Sequence, residues 1–513
     1  MKSRISCFVA CLLITSCQST VMTYKQTESF LDQLDREAEM LKNRIIHSTA
    51  DLQPTGPAYY LSMEGDDSWS GISPETPIKT ITKLNSLALE PGDFVLFRRG
   101  DCWRGNVIAQ KGVTYAAYGE GEKPKIYGSP CDAAKSGRWL KTDAPNVYMY
   151  NQELMYDVGT LVFNDGDSCA FKVMKKRDPV TGSTSHIETG EPFNDYHDLK
   201  RDLDFYHDYT GAKRIYLCSI KGHPADRFHS IELLVKGHIF SVHAPADSVT
   251  IDNLCLKYGG SHAVGCGKRG HITVTNCEIG WIGGSIQYDS PDRSSPVRFG
   301  NGVEIWGGSH FTVDHCYIYQ IYDAGITHQY VPSGDTDPTL MSHITYTNNL
   351  VEKCTYSVES FLAQPVDTTS YQMENIRVTN NLFRLSGFGW GYQRPDKGGA
   401  AHIKSWDHYN KAINFVIDGN VFDRSRNHLL SLEAKRKGWL PILGKNKYIQ
   451  YENGSLGVYG PSKGTYYPYD KQVADKLQGI WGEKGHRVYY VPSPAPDLNP
   501  LSDFHIGSRG HEY

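Results

Sequence analysis

The stretch Val378-Thr379-Asn380-Asn381-Leu382-Phe383 decides the fold, because its pattern recurs along the chain. Five other copies share an apolar first and last residue and Asp or Thr in second place: residues 251–256, 274–279, 313–318, 346–351 and 417–422. The fourth positions of the six copies are separated by 23 to 39 residues. Structural repeats of roughly 20–45 residues are typical of solenoids, and longer intervals indicate protruding loops. The pattern predicts a parallel β-helix in which each copy is a strand of one sheet.

Residues in the fourth position should stack, because neighbouring strands of a sheet lie only about 4.8 Å apart. We therefore expect Asn349 and Asn381 to form part of an internal amide ladder, with Cys277 and Cys316 continuing the column. A β-sandwich or a propeller with similar strands is the alternative. The varying distance between the copies argues against the regular blades of a propeller.

The composition fits a soluble, folded, strand-rich chain. It has 513 residues, 39% hydrophobic and 21% charged, with 49 Gly and 33 Tyr. That length exceeds one ordinary globular core but suits one elongated repeat domain. The formal net charge is −4, which gives no bulk electrostatic attraction for nucleic acid. We expect no nucleic-acid partner, and any anion site must be local.

The first residues have the features of a secretory signal. Lys2 and Arg4 precede an apolar run at 8–14, which ends in Leu-Ile-Thr-Ser before Cys17. This ending resembles the bacterial lipobox, which implies an exported bacterial lipoprotein with its lipid on Cys17, at the outer membrane and facing the periplasm or the cell exterior. An ordinary signal peptide containing a cysteine is the alternative. The membrane is thus an expected partner through an anchor.

The sequence divides into four segments. Residues 1–16 are the expected signal peptide. Residues 17–56 comprise the anchor, a linker and a surface helix at 26–48, where apolar residues have helical spacing. The β-helix is expected over residues 57–435, and residues 436–513 form a C-terminal cap or extension that loses the repeat. A solenoid needs caps because its terminal coil is an unpaired sheet edge.

The twelve cysteines do not define a disulfide framework. Three of them lie at or before the lipobox, which leaves an odd number in the body of the protein. Their spacing matches no zinc pattern, so no metal site is predicted from them. Buried packing is favoured for Cys277 and Cys316, and a disulfide remains open in an oxidising compartment.

The segment that precedes the repeats is similar to a known group of proteins. The matching stretches are Tyr60-Leu61-Ser62 and residues 71–77, 80–81, 91–101 and 103–105. They resemble the opening of bacterial right-handed parallel β-helix proteins, the pectate-lyase-like polysaccharide lyases and glycoside hydrolases. The resemblance covers roughly residues 58–435. It implies an all-β right-handed parallel β-helix and a polysaccharide or oligosaccharide substrate. No catalytic motif of a single family matches residue by residue, so no reaction type follows.

A second set of strands carries the candidate active site. Residues 301–306, 324–329 and 356–361 align, and residues 401–404 and 430–433 fit the same positions. Side chains alternate across a strand, so every second residue faces out. The first expected outward column is Glu304, Thr327, Glu359, His402 and Ser431. The column beside it is Trp306, Gln329, Phe361, Lys404 and Glu433. His328 falls in an inward position and is expected in the core.

These residue types suit sugar chemistry, because carboxylates transfer protons and aromatic faces stack on pyranose rings. The expected catalytic residues are Glu304, Asp323 and Glu359, where Asp323 lies at the turn before its strand. An aromatic, Gly-rich loop at 387–396 adds further candidates. The expected substrate-binding residues are Trp306, Trp390, Arg394, Asp396, His402 and Lys404. Asp323 could instead cap a turn, and a lone outward Glu is usually a solvated surface residue.

Three functions remain open. A glycoside hydrolase would need no cofactor. Glu304 and Glu359, two coils apart, would lie near the upper separation of an inverting pair, and Glu304 with Asp323 would be closer to retaining geometry. A lyase of a uronic-acid polymer would use Arg394, Lys404 and His402, often with calcium; the loop 333–337 lacks the spacing of a known calcium loop. A non-catalytic glycan-binding solenoid would need no acid pair. The outward carboxylates favour hydrolysis.

Overall fold

The computed structural model describes residues 21–49, 51–187, 189–289, 296–331, 340–362, 372–394, 399–405, 412–433, 439–459 and 464–492. Three long sheets, numbered I to III, wind around one core within these residues. Each coil passes from sheet I to sheet II to sheet III, and the strands of successive coils pair in parallel. The chain is a right-handed parallel β-helix, as predicted, with the hand that nearly all parallel crossovers adopt.

The sheets contain the following strands. Sheet I is Ala58–Leu61, Phe94–Arg98, Thr114–Tyr118, Thr250–Asp252, Arg269–Thr275, Gly308–Asp314, Leu340–Thr347, Gln372–Thr379, Ala412–Asp418 and Ile442–Gly444. Sheet II is Cys102–Arg104, Lys125–Tyr127, Cys255–Gly259, Glu278–Ile282, Tyr317–Ile321, Leu350–Glu352, Leu382–Ser386, Val421–Ser425, Lys447–Tyr451 and Arg487–Val491. Sheet III is Val107–Ile108, Phe240–Val242, Val264–Cys266, Val303–Trp306, Ala324–Tyr330, Tyr356–Leu362, Ala401–Ser405, His428–Leu432, Ser455–Tyr459 and Thr465–Pro468.

The six-residue copies are corners rather than single strands, which corrects the expectation of one sheet. Each copy ends a sheet I strand, turns, and begins a sheet II strand. The third residue makes the turn with a positive φ, for example 56° at Asn380 and 69° at Gly419. Asn and Gly tolerate this left-handed conformation better than most residues do. The repeated sequence therefore records the geometry of a corner.

The predicted ladder is confirmed on the inner side of this corner. Asn349 Nδ2 donates to Asn381 Oδ1 at 2.9 Å, and Asn381 Nδ2 donates to Asn420 Oδ1 at 3.0 Å. The ladder continues to Asn446, whose Nδ2 donates to Glu483 at 2.8 Å. Cys277 and Cys316 lie buried in the preceding coils of the same column, as expected. No disulfide joins any of the nine cysteines in the described part of the chain.

Replacing Asn381 should destabilise the β-helix strongly. Its amide accepts from Asn349 N and donates to Tyr346 O, both within 3.0 Å, in addition to the ladder bonds. Asn381→Leu would leave several buried polar groups without partners, so we expect a loss of about 3 kcal/mol in the free energy of unfolding. Denaturant unfolding measures it. Asn43→Leu, on an exposed helix face, is the matched control and should change stability by less than about 0.5 kcal/mol. Equal effects in the two variants would contradict the ladder's role.

The helix Tyr24–Ile46 corresponds to the predicted helix at 26–48. It begins with a capping box, because Thr23 and Gln26 each accept from the other's backbone N–H. Its apolar face, with Leu34 and Ala38, packs on the outer side of sheet II. Within the described residues no helix is both long and apolar enough to cross a membrane. Cys17 and the signal peptide lie outside the described residues.

The β-helix continues past the predicted end at residue 435. Sheets I, II and III gain further strands at Ile442–Gly444, Lys447–Tyr451 and Ser455–Tyr459. The repeat is hard to see there because the second and third residues of the corner, Gly444 and Lys445, differ from earlier copies. Helical turns at Val473–Lys476 and Leu477–Trp481 then cover the end of the core, in accord with the expected cap.

An inserted module, residues 129–235, replaces one corner between sheet II and sheet III and was not predicted. It has its own cores and two main sheets. Its strands are Trp139–Lys141, Val147–Tyr150, Val158–Phe163, Ser168–Cys169, Phe171–Lys172, Lys175–Arg177, Thr184–His186, Asp204–His207, Ile215–Cys218 and Ile231–Val235. Further short helices among the described residues are Ile81–Asn85, Asn164–Gly166, Tyr196–Asp198, Pro224–Arg227 and Trp390–Gln393, and a hairpin pairs Ile286–Asp289 with Pro296–Arg298.

Candidate active site

The outer face of sheet III carries a column of polar side chains. Glu304 pairs in register with Thr327, Thr327 with Glu359, Glu359 with Lys404, and Lys404 with Ser431. Their neighbours Val303, Ile326, Val358, Ile403 and Leu430 belong to the core. Glu304 and Glu359 therefore project from one face with a single strand between them.

The predicted outward position of His402 is wrong. Ile403, not Ala401, pairs with Val358, so Lys404 takes the place assigned to His402. His402 is fully buried; its Nδ1 lies 3.0 Å from Ser357 Oγ and its ring stacks near Phe422. Burial lowers the pKa of His402 to about 4. His328 is buried as expected, with Nδ1 3.1 Å from the Tyr346 hydroxyl.

Glu304 is held by two polar residues at the start of neighbouring strands. His262 Nε2 lies 2.7 Å from Glu304 Oε2, and Asn301 Nδ2 donates to the same oxygen at 2.9 Å. The backbone N–H of Asn301 donates to His262 Nδ1 at 3.0 Å, so Nδ1 carries no proton. The His262 ring therefore presents its Nε2–H to Glu304 Oε2.

These contacts keep Glu304 ionised although its side chain is only 14% exposed. Burial alone would raise its pKa, but attraction and hydrogen bonding by His262, with the bond from Asn301, outweigh burial and lower it. His238 stacks on His262 with ring centroids 5.0 Å apart. Burial, with repulsion by His262, lowers the pKa of His238 to about 3, so this ring is neutral at physiological pH. The site therefore presents a carboxylate backed by two stacked imidazole rings.

The other end of the column contains a partly buried amine. Lys404 Nζ donates to Ser431 Oγ at 3.1 Å and lies 3.6 Å from Glu433 Oε1. Burial lowers the pKa of Lys404, while attraction by Glu433 and by Glu359 partly offsets that effect. Glu359 is 5% exposed. The column thus places a carboxylate between Thr327 and a cation.

Asp323 and Arg394 form a buried ion pair next to the start of a sheet III strand. The guanidinium also lies over the rings of Tyr322 and Tyr356, at 5.6 and 5.7 Å. Asp323 is therefore committed to Arg394 in this structure, and its predicted catalytic role remains a prediction. The pair joins the segment of Arg394 to the residue that precedes the sheet III strand Ala324–Tyr330.

The predicted aromatic contacts differ in accessibility. Trp306 is partly exposed and meets Tyr330 edge to face, with centroids 5.8 Å apart. Trp390 is fully buried, and its Nε1–H donates to Gln320 O at 2.8 Å. Its ring supports the loop and has no face available for stacking in this conformation. Asp396 lies outside the described residues.

The described residues contain no group of three or more His, Cys, Asp or Glu side chains that could hold a metal ion. The loop 333–337, considered for calcium, lies outside those residues. A calcium site, which the lyase alternative often requires, therefore remains a prediction.

Sequence reasoning missed His238, His262 and Asn301 as partners of the site. His238 aligns with His262, and His262 with Asn301, when the register is extended to earlier coils. The available signal was the segment His262-Ala263-Val264-Gly265, which repeats the pattern of Asn301-Gly302-Val303-Glu304. A glycine at the position of Glu304 concealed the match.

No protein-family model and no curated sequence matches the chain. Several solved structures are similar. A glycoside hydrolase shares 10% identity over 85% of this chain and 96% of its own, with a TM-score of 0.46. A lacto-N-biosidase from Eubacterium ramulus shares 13% over 90% and 71%, with a TM-score of 0.33. An alginate lyase from Paenibacillus sp. shares 11% over 80% and 96%, also at 0.33. These neighbours include both hydrolases and lyases, so they do not distinguish between the two reaction types.

His262 should act as a positioning residue for Glu304. His262→Phe removes the donor to Glu304 Oε2 but keeps a ring of similar size, so the pKa of Glu304 should rise. If ionised Glu304 is required, the acid limb of the pH profile of kcat/KM should move to higher pH. His310→Phe, at an exposed histidine of sheet I, is the control and should leave the profile in place. A uniform fall in activity without a shift would contradict this role.

Proposed function

We propose that the protein is a glycoside hydrolase of the inverting type, with Glu304 and Glu359 as its two carboxylates. The observation that carries the proposal is their register: both stand in one outward column, separated only by Thr327. Two strand spacings amount to about 9.6 Å between backbones. Carboxyl groups about 6.5–9.5 Å apart leave room for the attacking water of an inverting reaction, and side chains can converge within that range.

Glu304 is assigned as the base. A general base must be ionised at the working pH, and contacts with His262 and Asn301 lower the pKa of Glu304 despite its burial. It accepts a proton from water as the water attacks the anomeric carbon. Glu359 then protonates the leaving glycosidic oxygen on the opposite side. Asp323 is a weaker candidate for the acid, because Arg394 stabilises its charged form.

Trp306 and Thr327, on the same face of sheet III, would position the sugar. The partly exposed Trp306 offers an apolar face for a pyranose ring. Thr327 Oγ1, between the two glutamates, is buried and has no hydrogen-bond partner among the described residues. A substrate hydroxyl would satisfy this group. This face of sheet III therefore combines two carboxylates, a stacking surface and an unsatisfied hydroxyl.

A polysaccharide lyase is the second candidate, and Lys404 is the observation that favours it. Burial lowers the pKa of this amine, which stands next to Glu359 in the same column. A deprotonated amine could abstract the C5 proton of a uronate. His402, buried in the core, is not available for the part that a lyase would give it.

The two reactions leave different products. A hydrolase releases a new reducing end without a double bond, whereas a lyase leaves an unsaturated end that absorbs ultraviolet light. We expect reducing ends to appear on a panel of plant, algal and host glycans without a rise in that absorbance. If the ultraviolet absorbance rises in parallel with the number of reducing ends, the protein is a lyase and not a hydrolase. The panel includes neutral and uronic-acid polymers, so neither reaction lacks a substrate.

A further inference from the structure

A cavity whose lining includes none of the column's residues lies between the inserted module and the hairpin of Ile286–Asp289 and Pro296–Arg298. Its volume is about 450 Å³. Polar groups of the module line it: Lys172, Lys175, Arg177, Tyr206, His207 and Tyr209. This volume falls within the about 300–1,000 Å³ that is typical of small-molecule sites.

The lining is cationic. Among its described members are two lysines, an arginine and a histidine, and no Asp or Glu. Lys175 Nζ donates to Asn194 O at 3.0 Å and lies 5.2 Å from the ring centroid of Tyr206, but neither contact neutralises its charge. Arg177 is exposed and forms no ion pair within the described residues. Two cations thus remain available to an anion.

The floor of the cavity is a buried, ordered network. Lys172 Nζ donates to Asp157 Oδ1 and to Val158 O, each at 2.6 Å. The backbone N–H of Ile286 donates to Asp157 Oδ2 at 2.6 Å, which ties the module to the β-helix. This network consumes the charge of Lys172 within the protein. The floor is therefore held rigidly, as a binding site requires.

His207 supplies an independent sign of a missing partner. Its Nδ1 lies 3.3 Å from Asp157 Oδ1 and must carry the proton to donate to that carboxylate. Its Nε2 is buried and has no hydrogen-bond partner among the described residues. A buried polar atom without a partner is costly, and a ligand hydroxyl at the cavity floor would satisfy it.

We propose that this cavity binds an acidic sugar unit, with the anionic group between Lys175 and Arg177 and the ring against Tyr206 and Tyr209. The anion is a carboxylate or a sulfate ester, both of which accept charge-assisted hydrogen bonds from Lys and Arg. His207 Nε2 accepts from a hydroxyl of the same sugar. That the anion is carried by a sugar rests on the proposed function; the anion site itself does not.

Binding can be measured on the full chain without turnover. Isothermal titration with glucuronic acid, galacturonic acid, glucose 6-sulfate, glucose, galactose and inorganic sulfate separates the carriers of the anion. We expect the acidic sugars to bind and the neutral sugars to bind at least tenfold more weakly. Lys175→Gln and Arg177→Gln should each weaken the acidic sugar by about tenfold or more. Lys176→Gln is the control, since Lys176 is exposed on the same strand and does not line the cavity.

Each outcome decides the inference. No binding of any acidic sugar, or an equal loss in Lys176→Gln, overturns it. If inorganic sulfate binds as tightly as glucose 6-sulfate, the cavity does not recognise the sugar and is a simple anion site. Turnover of glycans is recorded separately with the same variants. Absence of turnover with intact acidic-sugar binding would count against the proposed hydrolase and not against this cavity.

Discussion

Glu304→Gln and Glu359→Gln should each lower turnover by about 10²–10⁴-fold while leaving the fold intact, because general acid–base catalysis supplies a factor of that size. The two substitutions keep the shape of the side chain and remove its capacity to exchange a proton. In Glu304→Gln the amide can still bond to His262 and Asn301, so the local structure should persist. Initial rates with a glycan from the product screen measure the effect.

The matched control is Glu374→Gln, because Glu374 lies on sheet I, whereas Glu304 and Glu359 lie on sheet III. It should retain turnover within about twofold of the unsubstituted protein. Thermal unfolding and circular dichroism of all three variants establish that the fold is unchanged. If Glu304→Gln and Glu359→Gln both keep more than about a tenth of the turnover while Lys404→Ala abolishes it, the two carboxylates are not the acid and base. The lyase proposal then replaces the hydrolase proposal.

Lys172→Met should produce the largest loss of stability. It leaves the carboxylate of Asp157, whose side chain is 3% exposed, without its cation. Breaking a buried ion pair by removing one partner costs about 3–5 kcal/mol, because a charge stays buried without compensation. We expect a loss of that size in the free energy of unfolding, measured by denaturant titration. The module should be the first part to lose protection from hydrogen exchange.

A double variant separates the charge from the packing. Lys172→Met with Asp157→Asn removes both charges but keeps an acceptor for the backbone N–H of Ile286. It should recover most of the stability that the single variant loses. A single variant as stable as the unsubstituted protein would show that the pair does not hold the module against the β-helix. A double variant as unstable as the single one would assign the loss to packing.

Much of the fold could be predicted because the residues required at each corner between sheets I and II recur in the sequence. A positive φ recurs at the third residue of all six copies, and an inward amide recurs at Asn349, Asn381, Asn420 and Asn446. The inserted module left no such record, since its strands pair mostly within the module and follow no repeat. Loops between coils are free to grow because stability depends on the stacked strands.

The site was predicted in part, and the errors have a common physical cause. The alternation rule placed Glu304 and Glu359 in one column, where the structure has them. The prediction for His402 failed because the sequence alignment set Ala401, and not Ile403, opposite Val358. His262 was missed because its contact with Glu304 joins two coils. Such contacts depend on stacking register, which a single coil's sequence does not contain.

The most direct test of the central claim is the anomeric configuration of the first product, followed by proton NMR at early times before mutarotation. The register of Glu304 and Glu359 predicts a new reducing sugar whose configuration is opposite to that of the bond cleaved. A product of retained configuration would contradict the assignment of these two residues as an inverting pair. An unsaturated sugar would contradict hydrolysis itself.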